Sequence, residues 1–320
     1  MLTVLIDSWE YVNSNCYQHQ LIKMISNVVP DVNFLELHEI HRYKDGPVLS
    51  CLKLRTLDRS FKKVKDSIRN NVVLVYDQDP WENFIVSSPY FQSYDRISST
   101  LNVKSFLNTS SWWSDQVNQA GFRSTFVNLW ILPEYCNHSV LWENKVNDIV
   151  FCGTLYPRRI RFFDELSSNG INVKVHNSSL NYRDYLKFVT TCKIMIRSEK
   201  VDWNVRLNNV SQEITVPNAL WIRDVECASQ GCFSMRESDS EKTAWELDII
   251  PSIVSFSSAK HAVEMINSIT NMSSDEANEK LQSGSDAVKN VNKLRSTVQT
   301  IVRLINEKLR NWLSLVCEQC

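Results

Sequence analysis

Short apolar runs alternate with amphipathic stretches along this chain. Val72–Tyr76 is an unbroken apolar run, which is typical of a central parallel strand covered on both faces. Leu2–Ile6 is a short apolar run that suits a buried first strand. Tyr17–Val28 repeats apolar residues at helical spacing, and Pro30 closes the pattern. The pattern therefore predicts strands and helices in alternation.

The same alternation continues in the rest of the first half and resumes after the polar, irregular stretch Tyr135–Asn147. The other strands predicted before that stretch are Val32–Leu37, Lys104–Leu107 and Phe126–Leu129, and the other helices are Asp58–Ile68 and Ser111–Gln119. The strands predicted after it are Asp148–Cys152, Ile171–Val175, Cys192–Ile196, Cys232–Met235 and Ile253–Phe256. The helices predicted after it are Arg159–Ser168, Tyr182–Thr190, Pro217–Ser229, Ala259–Ile269, Asp275–Leu294 and an amphipathic Val298–Val316.

Alternation in both halves predicts an α/β protein with two Rossmann-like parallel sheets. We expect domains at residues 1–145 and 146–297 that face each other across a cleft, since ligands of such sheets bind at the carboxyl ends of the strands. The amphipathic helix within residues 298–320 is expected to pack back on the body, at the N-terminal domain.

Length, charge and cysteine usage narrow the class of protein. The 320 residues suit two domains, and a net charge of -1 does not favour non-specific nucleic-acid binding. Nine scattered cysteines indicate reduced thiols, and the apolar start ends at Asp7, too early for a signal peptide. Since no run of roughly 18 apolar residues occurs either, we expect a cytoplasmic protein without a transmembrane segment.

Glycine spacing excludes several common sites. The six glycines are far apart, so neither a G-x-G-x-x-G dinucleotide motif nor a P-loop can be written. A G-x-S-x-G nucleophile elbow is also absent from the sequence. A zinc site needs about four ligands, and the sequence has no second cysteine pair to join Cys317 and Cys320 in one. We therefore predict neither a cofactor nor a bound metal.

The first informative stretch of the second half runs from Val150 to Arg159. A predicted strand is followed by Gly153 and Thr154, and then by Arg158 and Arg159 where a helix begins. Glycine allows a ligand to approach the backbone, and arginines at a helix N-terminus suit phosphate oxygens. An ordinary strand–turn–helix with solvated arginines explains the stretch equally well.

The second informative stretch is Arg223–Gly231. Arg223 and Glu226 lie three residues apart, on one face of the predicted helix. A glutamate near the start of a helix can accept both ribose hydroxyls of a nucleotide. The alternative is a surface ion pair of little energetic value.

Together these stretches carry a family resemblance, which spans roughly residues 104–257. The segments that carry it are Phe151–Thr154 with Arg158 and Arg159, Asn169–Val175, and Arg223–Gly231 with Phe233, joined in the first half by Thr109–Trp113, Gly121 and Leu132–Pro133. In order and spacing they resemble the group-1 glycosyltransferases of GT-B fold, most closely the spore-maturation-like branch.

The resemblance implies a nucleotide-sugar donor, UDP-linked by default, as co-substrate. Glu226 matches the second glutamate of that family's E-x7-E pair, which binds the donor ribose. The first glutamate is replaced by Asn218, which leaves the sugar and the choice between retention and inversion open. The resemblance places the diphosphate against Arg158 or Arg159, with Arg197 as a further contact.

Acidic residues at two strand ends are the catalytic candidates of the first half. Asp77, Asp79 and Glu82 crowd beside Trp81 after Val72–Tyr76. An inverting transferase needs one such carboxylate as general base on an acceptor hydroxyl, which for this chain is that of a glycan or another molecule. We predict Asp79 in this role.

A second acidic cluster, Asp7 and Glu10 with Trp9 between them, follows the first predicted strand. Asp7 is the second candidate for the base, and Trp81, Glu82 and Trp9 are predicted acceptor contacts. Loop acids that cap the next helix are the simpler interpretation of any one of the carboxylates.

Three alternatives stay open. Asp77 and Asp79 also form a D-x-D string, which holds Mn²⁺ in single-domain transferases, although a second α/β series argues against that fold. A transferase acting on modified DNA bases would need a local basic strip, for which Lys53, Arg55, Arg59, Lys62, Lys63 and Lys65 are available. A non-catalytic nucleotide-sugar-binding protein would lack the acidic cluster, which is intact here.

Overall fold

A computed structural model of the protein describes residues 1–68, 70–128, 130–176, 180–215, 222–237, 250–289 and 293–305. Its backbone divides into two compact units. The first takes its described residues from Met1–Leu129, Trp203–Ile214 and Lys293–Cys320, and the second takes them from Trp130–Asp202 and Thr215–Asn292. Each unit is therefore built from segments that are separated in sequence.

The strands and helices have the following bounds. In chain order, the strands are β1 (Thr3–Ile6), β2 (Asn33–Glu36), β3 (Val48–Ser50), β4 (Val73–Asp77), β5 (Val103–Asn108), β6 (Ser124–Phe126), β7 (Asn147–Cys152), β8 (Lys174–His176), β9 (Cys192–Arg197), β10 (Trp203–Leu207), β11 (Val210–Ile214), β12 (Phe233–Glu237) and β13 (Ile253–Phe256). The α-helices are α1 (Trp9–Ser14), α2 (Cys16–Val28), α3 (Leu54–Ile68), α4 (Ser93–Ser98), α5 (Ser111–Gln119), α6 (Pro157–Ser168), α7 (Tyr182–Thr190), α8 (Ile222–Ser229), α9 (Ala259–Thr270), α10 (Ser274–Lys289) and α11 (Lys293–Ile305).

The first unit contains a six-stranded parallel sheet in the order β2-β1-β3-β4-β5-β6. Every residue of β1 and of β4 is buried, as expected for strands covered by helices on both faces. The short 3-10 helix Pro80–Asn83 follows β4 directly. In this unit α11 packs against α2.

The second unit contains a five-stranded parallel sheet in the order β13-β12-β9-β7-β8. Its core is aromatic: the rings of Phe162 and Phe256 stack with centroids 5.4 Å apart, and Trp142 meets Phe233 edge to face at 5.8 Å. Both sheets confirm the predicted α/β class.

The hairpin β10–β11 belongs to the first unit, although it lies within the second half of the sequence. Its two-residue turn is Asn208–Asn209, with φ of 50° and 64°. Asparagine tolerates this left-handed conformation, which hairpins with two-residue turns require. Trp203 of the hairpin stacks on Trp81 at 5.4 Å.

Several predicted bounds need correction, and some elements were not predicted. The strand expected at Phe126–Leu129 is Ser124–Phe126, and Asp275–Leu294 divides into α10 and the start of α11. β3, α1, α4 and the hairpin were not predicted. The predicted domain roles of residues 1–145, 146–297 and 298–320 stay predictions.

In the part of the chain that the structure describes, no helix combines the length and the apolar character that crossing a membrane requires.

Candidate functional site

The carboxylates that follow β4 differ sharply in what they contact. Asp77 is 2% exposed, and both of its oxygens are engaged. Its Oδ1 accepts the backbone N–H of Asp79 at 3.0 Å, and its Oδ2 accepts the hydroxyl of Tyr94 at 2.7 Å. Burial raises the pKa of Asp77 to about 6, although both hydrogen bonds favour the charged form. Asp77 is thus fixed in place by its neighbours.

Asp79 is half-buried, and its side chain makes no hydrogen bond with any described residue. It stands at the N-cap position of the 3-10 helix, yet its side chain does not cap that helix. Burial and the nearby carboxylates of Asp77 and Glu82 raise its pKa to about 7, while Arg55 and Lys53 act in the opposite direction. The capping interpretation therefore fails for Asp79.

Asp7 and Lys53 complete this group of side chains. Asp7 Oδ2 accepts the backbone N–H of Lys53 at 2.9 Å, so this carboxylate holds the chain that leaves β3. The Lys53 ammonium lies 3.4 Å from the centre of the Tyr11 ring. Burial lowers the pKa of Lys53, as does Arg55, whereas Asp7 and Asp79 raise it. We call Asp7, Lys53, Asp77 and Asp79 the acidic corner.

The predicted acceptor contacts lie in different surroundings. Trp81 is 7% exposed and stacks on Trp203, so its ring does not offer the open face that the sequence suggested. Glu82 Oε2 accepts the hydroxyl of Ser88 at 3.0 Å. Trp9, the first residue of α1, is 43% exposed, so of the two tryptophans it is the one with an accessible ring.

In the second unit, the turn after β7 has the backbone that its sequence predicts. Gly153 has a φ of +150°, and a Cβ built there would lie 3.2 Å from the Phe151 ring and 3.5 Å from Arg223 Nη1. Thr154 is exposed, and its carbonyl accepts Arg159 Nη1 at 2.8 Å. The turn thus combines exposed backbone with a guanidinium group.

Arg159 also binds the loop after β9, because its Nε donates to the carbonyl of Ser198 at 3.0 Å. Burial lowers the pKa of Arg159, and among the smaller effects are the nearby charges of Arg197 and Arg223. Backbone carbonyls do not neutralise a guanidinium, so its charge remains available to an anion. Arg158 differs, since it pairs with Asp202 at the surface.

The remaining predicted arginines contact buried groups. Arg223 Nη1 donates to the carbonyl of Cys152 at 2.6 Å. Arg197 is 8% exposed and lies 3.2 Å from Asp224 and 3.4 Å from Glu199. Asn218 lies outside the described residues. We call Arg159, Arg197, Arg223 and Glu226 the arginine corner.

Glu226 is a fully buried carboxylate on α8. Neither of its oxygens has a hydrogen bond of normal geometry. Burial raises its pKa to about 7, against the opposing effects of the Tyr182 hydroxyl, Arg223, Arg197 and the Tyr185 hydroxyl. Because a buried carboxylate without well-formed hydrogen bonds is costly, Glu226 is suited to accept further hydrogen bonds from a ligand.

Glu237 is a site residue that the sequence did not reveal. Its Oε2 accepts the hydroxyl of Ser198 at 3.0 Å and the backbone N–H groups of Glu199 and Lys200 at 2.6 and 2.9 Å. These bonds fix the loop whose Ser198 carbonyl holds Arg159. The available signal was its place at the end of a strand, since Glu237 is the last residue of β12.

Within the described ranges, no group of three or more His, Cys, Asp or Glu side chains is arranged to hold a metal. Both oxygens of Asp77 are already engaged, so the D-x-D string offers no open pair of carboxylates in this conformation. Independence from metal stays a prediction.

Comparison with known proteins finds similarity in structure only. No family model matches the chain, and no curated protein matches it. Sucrose-phosphate synthase from Thermosynechococcus elongatus has a TM-score of 0.58 and 8% identity, covering 95% of this chain and 97% of that one.

Two further solved structures give the same result. The DNA modifying enzyme β-glucosyltransferase, solved with and without its substrate uridine diphosphoglucose, has a TM-score of 0.59 and 10% identity over 95% of this chain and 99% of that one. The E. coli trehalose-6-phosphate structure bound with UDP-2-fluoro glucose has a TM-score of 0.53 and 9% identity, covering 84% of this chain and 75% of that one. The fold of this chain is GT-B, as its resemblance to the group-1 glycosyltransferases implied, whereas membership of the spore-maturation-like branch stays a prediction.

Proposed function

We propose that the protein is a glycosyltransferase that moves a sugar from a nucleoside-diphosphate sugar, UDP-linked by default, to an acceptor hydroxyl. The observation that carries this proposal is Glu226, a buried carboxylate without a hydrogen bond of normal geometry that lies near Arg223 and Arg197. Its place in a GT-B fold supports the same reading, because the solved structures of this fold include transferases with UDP-sugar ligands.

Donor binding would use the arginine corner. The two ribose hydroxyls would donate to the two oxygens of Glu226 and so give this carboxylate hydrogen bonds of normal geometry. Because Glu226 is fully buried, nucleotide binding must uncover it. The diphosphate would take charge from Arg159 and accept N–H groups from the exposed turn at Gly153 and Thr154.

The transfer step would use the acidic corner. In an inverting reaction, the acceptor oxygen bonds to the anomeric carbon while the bond from that carbon to the diphosphate oxygen breaks. Asp79 takes the hydroxyl proton, and the arginines offset the charge that develops on the leaving nucleoside diphosphate. A pKa of about 7 suits a base that works near neutral pH. A retaining reaction would not need this base.

Asp77 and Asp7 fit positioning roles better than direct ones. Asp77 accepts the backbone N–H of Asp79 and thereby fixes the chain that carries the base. Asp7 holds the backbone of Lys53, whose charge lies near Asp79. This division follows from the hydrogen bonds, because Asp77 and Asp7 each accept at least one from a described residue and Asp79 accepts none.

Modified DNA is the second candidate acceptor. One structure of this fold is a DNA modifying β-glucosyltransferase, and α3 presents exposed Arg55, Arg59, Lys62 and Lys63 on its surface. A duplex held by these residues should bind more weakly as salt rises, because binding releases counterions. Salt-independent or absent binding of a duplex oligonucleotide would leave a glycan or another hydroxyl compound as the acceptor.

The proposal is tested by measuring the melting temperature with UDP, ADP, GDP and their glucose conjugates. A ligand that binds only the folded protein raises this temperature, and we expect the largest rise with a nucleoside diphosphate or its sugar. At the same ligand concentration the rise should be much smaller in Glu226→Gln and unchanged in Glu165→Gln, which alters an exposed glutamate of α6 in the same unit. If no nucleotide shifts the wild-type temperature, the proposed function is wrong.

A further inference from the structure

A second candidate ligand site lies in the first unit, away from the acidic corner. It is a cavity of about 430 Å³ between the tip of the β10–β11 hairpin, the chain that enters α4 and the end of α5. Its volume lies in the range of small-molecule pockets, about 300–1,000 Å³. Neither Asp7, Asp77, Asp79 nor Lys53 lines it.

Polar side chains with unused hydrogen-bonding capacity converge on this cavity. Gln92, Asp95 and Asn209 are exposed there, and none of the three uses its side chain in a hydrogen bond or ion pair with a described residue. Arg206 is also exposed, and its guanidinium lies 5.4 Å from the Phe91 ring centre rather than beside a carboxylate. The cavity thus offers amide, carboxylate and guanidinium groups to a ligand.

Aromatic rings supply the apolar part of the wall, and packing holds them in place. Phe122 meets Tyr94 and Phe106 edge to face, with ring centres 5.6 and 6.1 Å apart. Phe84, another lining residue, is 4% exposed and stacks on Trp113 at 5.6 Å. Of these two rings, Phe122 is only half-buried and supplies the accessible apolar surface.

The polar, charged and aromatic side chains of the cavity together indicate what kind of ligand it would bind. Asp95 and Arg206 carry opposite single charges, so the lining is neutral as a whole and favours a ligand without net charge. Amide groups donate and accept together, which matches hydroxyl groups that do the same. A ligand with many hydroxyls and apolar ring faces is a sugar.

We propose that this cavity is a binding subsite for a neutral saccharide of one or two hexose rings. The proposal goes beyond the transferase function and uses none of the residues assigned to it. A saccharide bound here would anchor a glycan on the unit that carries Asp79. The wall is connected to the acidic corner by hydrogen bonds, because Asn83 Oδ1 accepts the Tyr94 N–H at 2.8 Å and the Tyr94 hydroxyl binds Asp77.

The test is a calorimetric titration of the full chain with D-glucose and with maltose, in the presence of UDP so that the donor half-site is occupied. We expect weak saturable binding, in roughly the millimolar range typical of few contacts. Asp95→Asn and Arg206→Ala should each raise the Kd by at least about fivefold, since each removes a charged hydrogen-bonding group. Both positions are exposed, and the melting temperature reports whether each variant folds.

Matched control variants are Asp115→Asn and Arg123→Ala, which alter exposed residues of the same unit that do not line the cavity. They should bind maltose like the wild type. The proposal is overturned if neither sugar binds, if the cavity variants bind as well as the controls, or if the zwitterion L-glutamine binds in place of both sugars. Loss of UDP binding alone would affect only the proposed transferase function, because the saccharide titration has its own signal.

Discussion

The acidic corner and the arginine corner each contain one carboxyl group whose pKa is about 7, but the causes differ. At Asp79, burial acts together with repulsion from Asp77 and Glu82, and Lys53 and Arg55 limit the rise. At Glu226, burial acts against two tyrosine hydroxyls and two arginines. The first carboxyl group has like charges around it, and the second has only groups that favour its charged form.

This difference teaches what each group is suited to do. A half-buried carboxylate surrounded by others can exchange a proton with a ligand near neutral pH. A fully buried carboxylate beside cations is suited to stay in place and accept hydrogen bonds from a ligand. Other carboxylates are fixed by hydrogen bonds: Asp77 within the acidic corner, and Glu237 at the loop whose Ser198 carbonyl holds Arg159.

The largest effect is expected from Asp79→Asn, which tests whether Asp79 exchanges a proton while Glu226 binds the donor. We expect turnover to fall by about 10²–10⁴ in an inverting reaction, the usual contribution of a general base, while the affinity for UDP stays unchanged. Turnover of a UDP-sugar and calorimetric binding of UDP, measured on one preparation, separate the two effects.

Asp7→Asn serves as the comparison variant, because Asp7 is bound to the Lys53 backbone. It should reduce turnover less than Asp79→Asn does. Normal turnover of Asp79→Asn beside an inactive Asp7→Asn would move the base to Asp7. Normal turnover of both variants would indicate a retaining reaction.

The second test is Glu226→Gln, which should weaken UDP binding by about 1.5–3 kcal/mol, the range for hydrogen bonds to a charged group. Ribose hydroxyls donate best to the ionised form, so wild-type affinity should fall as pH decreases through about 7. The difference in binding between wild type and variant should therefore shrink at acidic pH. Equal affinity at pH 8 would rule out the ribose role.

For the same variant we also predict a change in the free energy of unfolding. The folded pKa of Glu226, about 7, lies above its ordinary value of 4.5, so between these pH values the folded state binds more protons than the unfolded state. The free energy of unfolding must fall as pH rises through this window. Glu226→Gln removes that penalty and should be more stable than wild type above pH 7, by on the order of 1–3 kcal/mol.

Glu165→Gln, at an exposed position of the same unit, is the control for this stability effect and should leave the pH dependence of unfolding unchanged. Chemical denaturation at pH 5 and pH 8 measures the difference. A variant less stable than wild type at pH 8 would mean that the Glu226 carboxylate is satisfied in the free protein.

The sequence predicted the two parallel sheets well, because buried strands such as β1 and β4 consist mostly of consecutive apolar residues. It failed at β3, a strand of only three residues. That omission hid the position of Lys53 beside Asp7, which follows from the place of β3 between β1 and β4.

The sequence analysis also missed the β10–β11 hairpin and misjudged the surroundings of Trp81, both for physical reasons. The Asn208–Asn209 pair is a hairpin signal, but the strands around it are largely polar and showed no core pattern. Trp81 looked like an open stacking face because acidic residues surround it in sequence, whereas Trp203, far along the chain, covers it. Long-range contacts of this kind cannot be read from local patterns.

The third test compares two adjacent arginines. Arg159 donates to the backbone carbonyls of Thr154 and Ser198, whereas Arg158 pairs with exposed Asp202. Arg159→Ala should weaken UDP binding by about 1–2 kcal/mol, and Arg158→Ala by less than about 0.5 kcal/mol. Calorimetry with UDP and with uridine shows whether the loss depends on the phosphates. A larger effect at Arg158 would reverse the assignment of the diphosphate.

The smallest expected effect concerns the pH at which Asp79 becomes active. The base must be deprotonated, so turnover should rise with pH and level off above about 7. Lys53 favours the charged form of Asp79, so Lys53→Met should move this rise to higher pH, by up to about one unit. Lys62→Met is the matched control, because Lys62 is an exposed residue of α3 that is not among the groups acting on Asp79. A profile that shifts equally in both variants would mean that general surface charge sets the pH dependence, and an unchanged profile in Lys53→Met would place the titrating group outside the acidic corner.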